Sequence, residues 1–356
     1  MRVLFSTAAK PANAPNPMDP SNRRRKMPRW LPQALGYGAS AACVAWVLHG
    51  YSIEDQLIPA IRELDWRWVS LAVAADLAIY VAQAWRWNTL LAPVIRPWPW
   101  RTVQAIFIGQ FANQVLPLRT GELIRCYMLA HWNDLRLSLS FASAALERLI
   151  DGFWMLAAFL ITAAFVRAMP RDLMLGVRVL GVLLLLGAIL LFWVVFHKQH
   201  AHAVIRESRW ASTLRHVIEG LHLMGNPRTM GWTSLISLLY LALQVLTVWA
   251  LMKADGLDLS FWSAGGVLTV VRLATVIPNG PANLGLLQVA CVLALGLFDV
   301  EKNDAKNFSN IMLAAETIPL LAGGAIAVAL TGLNISELRD HARRGLHAHA
   351  HAPRQG

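Results

Sequence analysis

The chain has 356 residues, a formal net charge of +11, 56% hydrophobic residues and only 15% charged ones. A soluble domain carries roughly 45–50% and about 25% of these classes, so this chain lacks the polar surface to cover a water-exposed globule and reads as an integral membrane protein. Cys43, Cys126 and Cys291 lie far apart in apolar stretches, which excludes a disulfide scaffold and a zinc site and leaves small buried thiols.

Seven Lys and Arg fall within residues 1–30, including the run Arg23-Arg24-Arg25-Lys26 directly before an apolar segment. Attraction to an anionic leaflet explains that placement more simply than nucleic acid does. The segment reads as a disordered basic cytoplasmic tail, with no apolar core of the signal-peptide kind. A membrane-spanning helix needs about 20 mostly apolar residues, and six segments qualify: 31–50, 68–87, 138–166, 173–196, 230–252 and 308–332. Tryptophans at positions 66, 68, 85, 87, 98 and 100 cluster at the ends of the second, as amphipathic rings do at the headgroup level.

Two further apolar stretches, 102–130 and 260–298, are interrupted. The first carries Leu116-Pro117-Leu118-Arg119-Thr120-Gly121-Glu122, the second Pro278-Asn279-Gly280-Pro281-Ala282-Asn283-Leu284-Gly285. Proline removes a helix donor and glycine permits irregular backbone, so each stretch becomes two short helices forming a re-entrant hairpin. Kinked ordinary helices are the alternative, and two full spans in place of the second hairpin would raise the count from six to eight. The fold class is all-α and polytopic, with two broken segments in corresponding halves, as an inverted repeat would place them.

Residues 197–229 read as a cytoplasmic interfacial helix between the halves, and 333–356 as a disordered His-rich cytoplasmic tail whose histidines are solvated. With both termini in the cytoplasm, 20 Lys and Arg (Arg86, Arg96 and Arg101 among them) fall inside, seven outside and five within the membrane. That bias predicts a bacterial-type cytoplasmic (inner) membrane protein, with the first hairpin entering from the cytoplasm and the second from outside.

The membrane segments hold Asp76, Glu122, Glu147, Asp151 and Glu316 with Arg119, Arg125, Arg148, Arg178 and Arg272. Each charge costs about 2.5–3.5 kcal/mol at a helix centre, so partners or water are required; Arg178, near a helix end, can snorkel. At the first break a short helix begins near Thr120, and its free N–H groups, with Arg119 and Arg125, suit a phosphate-bearing anion. Glu122 favours that helix terminus and pairs with either arginine. An ion-pair cluster that only anchors the hairpin is the competing reading. Glu147 and Asp151 share one helix face with Arg148 between them, which suits a proton relay or gate, or else structural pairing with the hairpin arginines. No metal-ligand, nucleotide-loop or triad motif is present, so no metal or cofactor is expected.

Asn113, Leu116-Pro117, Arg119, Gly121-Glu122 and Arg125, followed by Glu147-Arg148 and Asp151, resemble the transmembrane flippase-like region of the lysylphosphatidylglycerol synthase superfamily. The resemblance runs over residues 31–332 and implies a helical unit that moves lipids between leaflets. Its second motif, Pro-Gly-Gly-x-Gly-x-x-Glu, aligns with Pro281 to Gln288, where Ala282-Asn283 replace the glycine pair and Gln288 the acid. The substrate contacts it implies are Asn113, Pro117, Arg119, Gly121, Glu122 and Arg125 from one break, and Pro278, Pro281, Asn283, Gly285 and Gln288 from the other. The 24-residue tail leaves no room for a lipid-lysylating domain, so a stand-alone, non-enzymatic flippase of anionic lipids is expected. An intramembrane lipid-modifying enzyme using Glu147 or Asp151 as base, or a scaffold for envelope glycolipid enzymes, are the alternatives.

Overall fold

The computed structural model describes residues 31–116, 120–165, 182, 186, 224–275 and 281–331. The expected span at 173–196, both tails, most of the expected interfacial helix, Pro117, Arg119, Arg178 and Pro278 lie outside the described residues. Those described form ten α-helices and no strand: α1 (Leu31–Leu48), α2 (Ile58–Glu63, continuing a π-turn at Ile53–Leu57), α3 (Trp66–Leu91), α4 (Pro99–Val115), α5 (Gly121–Trp132), α6 (Leu137–Phe165), α7 (Pro227–Ala254), α8 (Phe261–Ala274), α9 (Leu286–Gly296) and α10 (Lys302–Thr331). The fold is that of an all-α polytopic membrane protein. Among the described residues, α3, α7 and α10 are long and apolar enough to cross a bilayer by length and composition. At 29 residues α6 has the length too, but it carries Glu147, Arg148 and Asp151.

Local chemistry sets the helix starts. Asp65 caps α3 by accepting from the Arg67 amide at 2.9 Å, Ser260 caps α8 from Ser263 at 3.1 Å, and Asn226 with Pro227 opens α7. The last case corrects the expected boundary, because 227–229 belong to α7 and not to an interfacial helix.

α3 and α7 form the spine and run antiparallel. The Asp65 amide donates to the Ala254 carbonyl, Trp68 meets Trp249 edge-on at 5.3 Å, and Arg86, near the other end of α3, reaches Ser237. Most contacts among α3 to α10 fall into matched pairs. α4 packs on α5 as α8 packs on α9, and α5 meets α6 as α9 meets α10. The first hairpin, α4–α5, leans on α10 of the other half, and the second, α8–α9, leans on α6. Exchanging α3 to α6 for α7 to α10 therefore reproduces the contact pattern with the spine direction reversed, which is an inverted repeat. The hairpins enter from opposite faces. The face on which α1 begins and α10 ends, here the near face, is also where α3 ends and α4 begins; α8 begins on the far face.

Close backbone approach holds the first hairpin together. A Cβ at Gly109 would stand 2.7 Å from Arg125 Cβ and 2.9 Å from the Gly121 carbonyl oxygen. The second hairpin turns through left-handed backbone, with φ of 57° at Ala282, 53° at Asn283 and 81° at Gly285. Gly285 also abuts α1, where a Cβ would lie 2.6 Å from Cys43 Cβ and from the Ser40 carbonyl oxygen. Left-handed backbone costs a non-glycine residue roughly 1–2 kcal/mol, so Ala282 strains the turn where the resembling motif has glycine. Ala282→Gly should raise stability by about 1 kcal/mol after the entropy of the freer unfolded chain is subtracted. Unfolding followed in detergent micelles measures it, and a loss of stability would contradict the left-handed turn.

Candidate functional site

Asn113, on the last turn of α4, closes the first break. Its Oδ1 accepts from the Gly121 amide at 2.8 Å, and its Nδ2 donates to Gln110 Oε1 at 3.2 Å. The start of α5 is thus partly satisfied from within the hairpin, and Glu122 adds a negative charge in its first turn.

Three arginines and three carboxylates interlock beside it. Arg86 of α3 is fully buried, pairs with Glu147 and Asp151 of α6, and donates to Ser237 Oγ of α7 at 3.1 Å. Its guanidinium carbon lies 4.6 Å from the Tyr240 ring centre. Arg125 of α5 is 1% exposed, binds Glu122 at 2.7 Å and Glu147 at 3.1 Å, and stands over the Trp87 ring at 4.8 Å. Arg148 reaches Glu122 at 2.5 Å and Asp151 at 3.6 Å. Glu147, fully buried, also accepts from Gln83 Nε2 at 3.3 Å. The set is charge-neutral and ties the first hairpin to α3, α6 and α7. Desolvated cations over aromatic faces gain about 2 kcal/mol each, which offsets part of the cost of the buried guanidinium nitrogens left without a hydrogen bond, Arg86 Nε and Arg125 Nη1.

Next to this network lies a cavity of about 450 Å³. The middle of each long helix opens onto it: Asp76 and Tyr80 from α3, Arg148 and Asp151 from α6, Tyr240 and Gln244 from α7, Glu316 from α10. Both breaks reach it too, through Asn113, Gln114 and Leu116 on one side and Arg272, Thr275 and Asn283 on the other. The hairpins therefore turn back at mid-depth of the bundle, with the cavity at the repeat interface where transporters hold substrate. Arg272 opens into this space and, among the described residues, has no carboxylate within 4.0 Å.

The expected site residues divide between these two places. Asn113, Glu122, Arg148, Asp151 and Asn283 line the cavity. Arg125 and Glu147 do not; both are consumed in the ion network, which corrects the expectation of Arg125 as a headgroup contact and of Glu147 as an accessible acid. Gly121 and Gly285 serve close packing. Gln288 caps α9, its Oε1 accepting from the Gly285 amide at 3.1 Å while its Nε2 donates to Asn310, so the missing acid of the second motif leaves the turn intact. Pro281 contributes backbone to the short 3-10 turn Pro281–Asn283.

Sequence reasoning missed Arg86, which it assigned to the cytoplasm. α3 runs on to Leu91, placing Arg86 inside the bundle. A polar stripe at helical spacing, Asp76-Tyr80-Gln83-Arg86, was the available signal; the flanking tryptophans mimicked a membrane boundary. Removing one partner of a buried pair costs about 3–5 kcal/mol. Arg86→Gln should therefore destabilise the protein by about that much and lower folded yield, and adding Asp151→Asn should recover part of the loss. Equal yields for wild type and Arg86→Gln would show the network to be dispensable.

Residues 33–324 match the family described as the lysylphosphatidylglycerol synthase TM region. Two relatives from Methanothermobacter thermautotrophicus, each named UPF0104 membrane protein, are similar to the chain. One is 22% identical over 264 residues, covering 69% of this chain and 77% of the relative. The other is 24% identical over 341 residues, covering 85% and 95%. No solved structure matches the chain. The matched region spans every described helix from α1 into α10, both breaks and the ion network between them, and the chain belongs to the lysylphosphatidylglycerol synthase TM-region family.

Proposed function

We propose that the protein moves an anionic or phosphate-bearing lipid, a phospholipid or a polyprenyl-linked one, between membrane leaflets. The observation that carries this reading is a mid-depth cavity at an inverted-repeat interface in which one guanidinium, Arg272, is in no ion pair within 4.0 Å among the described residues. A planar guanidinium can hold two phosphate oxygens at once, and the side-chain amides of Gln110 and Gln244 also line the cavity. Acyl chains would stay in hydrocarbon while the headgroup crosses. The enzymatic alternative expected Glu147 or Asp151 as base, and both are held by arginines, Glu147 by Arg86 and Arg125 and Asp151 by Arg86 and Arg148.

The near face is assigned to the cytoplasm of an inner-membrane-type bilayer. Arg96, Arg101, Arg136 and Arg228 lie on that face and the seven Lys and Arg of residues 1–30 precede α1, which begins there, against Arg62, Arg67, Lys253, Lys302 and Lys306 on the far face. Labelling of a single cysteine placed between α1 and α3 by an impermeant reagent in intact cells tests this, and labelling of one between α3 and α4 would reverse it.

The transport reading is tested in vesicles by following a fluorescent phosphatidylglycerol and a fluorescent phosphatidylcholine between leaflets. Losing one charge-assisted contact worth about 1.5–3 kcal/mol should slow phosphatidylglycerol about tenfold or more in Arg272→Gln, with folded yield unchanged. Phosphatidylglycerol movement that is independent of the protein, or equal in wild type and variant, would sink the proposal.

A further inference from the structure

The ion network balances itself, three cations against three anions, and leaves one group of charges on the cavity wall outside any ion pair. Asp76 of α3 is 5% exposed, and its Oδ2 receives only a long hydrogen bond from the Tyr80 hydroxyl at 3.4 Å. Glu316 of α10 and Arg272 of α8 face the same cavity. Among the described residues, neither carboxylate has a cation within 4.0 Å. The other charged and titratable groups on the wall are Tyr240 of α7, Glu122 of α5, and Arg148 and Asp151 of α6. The last three are bound to one another, and α4 contributes only the neutral Gln110, Asn113 and Gln114.

Two carboxylates therefore share one guanidinium at the depth where an uncompensated charge is most expensive. We propose that Asp76 and Glu316, with Arg272, form a proton-binding site in which headgroup binding drives proton uptake, so that an anionic lipid crosses together with a proton. With the cavity empty, Arg272 compensates one carboxylate and a proton from water in the cavity neutralises the other. An anionic headgroup on Arg272 takes away that compensation, and the second carboxylate binds a proton as well. By linkage the effect is reciprocal, and protonation of the pair tightens headgroup binding. This places the titrating acids on α3 and α10, not on the Glu147–Asp151 face of α6, whose charges are already matched.

The proton site is independent of the lipid; only the coupling rests on the transport reading. Infrared difference spectra of the protein in phosphatidylcholine nanodiscs, recorded across pH, read protonated carboxyl groups directly. Wild type should show such a signal, appearing as pH falls. Asp76→Asn and Glu316→Gln should each abolish it, because the remaining acid then has Arg272 to itself, and Arg272→Gln should enlarge it. Absence of the signal in wild type, or its survival unchanged in both acid variants, overturns the proposal; two variants guard against misfolding of either one. Phosphatidylglycerol binding to the same nanodiscs separates the two ideas. Affinity should rise from about pH 8 to about pH 6, by up to about tenfold per unit for one linked proton, in wild type and in either single acid variant, whose remaining acid loses Arg272 to the headgroup, and be flat once both acids are replaced. Binding that ignores pH overturns the coupling and leaves the transport reading standing, whereas a carboxyl signal without phosphatidylglycerol binding at any pH sinks the transport reading and leaves the proton site.

Discussion

A guanidinium buried at membrane depth must find its counter-charge in protein, and Arg86 does so on α6. Much of the first half follows from that requirement. Glu147 compensates Arg86 and Arg125 together, Arg125 holds Glu122, and Glu122 holds Arg148, so α3, α5 and α6 are fixed relative to one another by charge as well as by packing. Apolar contact alone discriminates poorly between helix orientations in a bilayer, because lipid tails are as apolar as leucine. A cluster of charges favours the arrangement that gives every guanidinium a carboxylate, as this one does.

The repeat is symmetric in backbone and asymmetric in charge. The matched contacts of α3 to α6 and α7 to α10 give two hairpins of similar build entering from opposite faces. The first is fastened by ions. The second is fastened by amides and shape: Gln288 caps α9 and reaches Asn310, and Gly285 nests against Ser40 and Cys43 of α1. The cavity between them thus has one wall whose charges are paired internally and another, formed by Arg272, Glu316 and Asp76, whose charges are not. Such a division separates the groups that hold the fold from the groups free to meet a ligand.

Much of this architecture was legible in the sequence. Proline and glycine marked both breaks, because their backbone constraints act locally, and α4 and α5 end within a few residues of the positions read from composition. The acidic face of α6 was legible from four-residue spacing. What a single chain cannot display is which charges meet across 61 or 65 residues, and there the reading of Arg86 failed. Arg125 and Arg272 looked alike as intramembrane arginines, yet one is walled in by Trp87, Glu122 and Glu147 while the other opens into a cavity. Ala282-Asn283 stand where the resembling motif has a glycine pair, and the backbone makes a left-handed turn there that strains Ala282 more than Asn283, since asparagine tolerates that region better than alanine does.

The span between Arg86 and its partners also bears on how the protein is made. Arg86 is synthesised 61 residues before Glu147 and 151 before Ser237. While α3 enters the bilayer the acids that pair with Arg86 are not yet made, and its guanidinium can stretch toward water at the end of α3, five residues on at Leu91. Only when α6 arrives can Arg86 withdraw into the bundle. The terminal position of this arginine therefore reconciles two demands, a helix the insertion machinery accepts early and a buried ion cluster completed late.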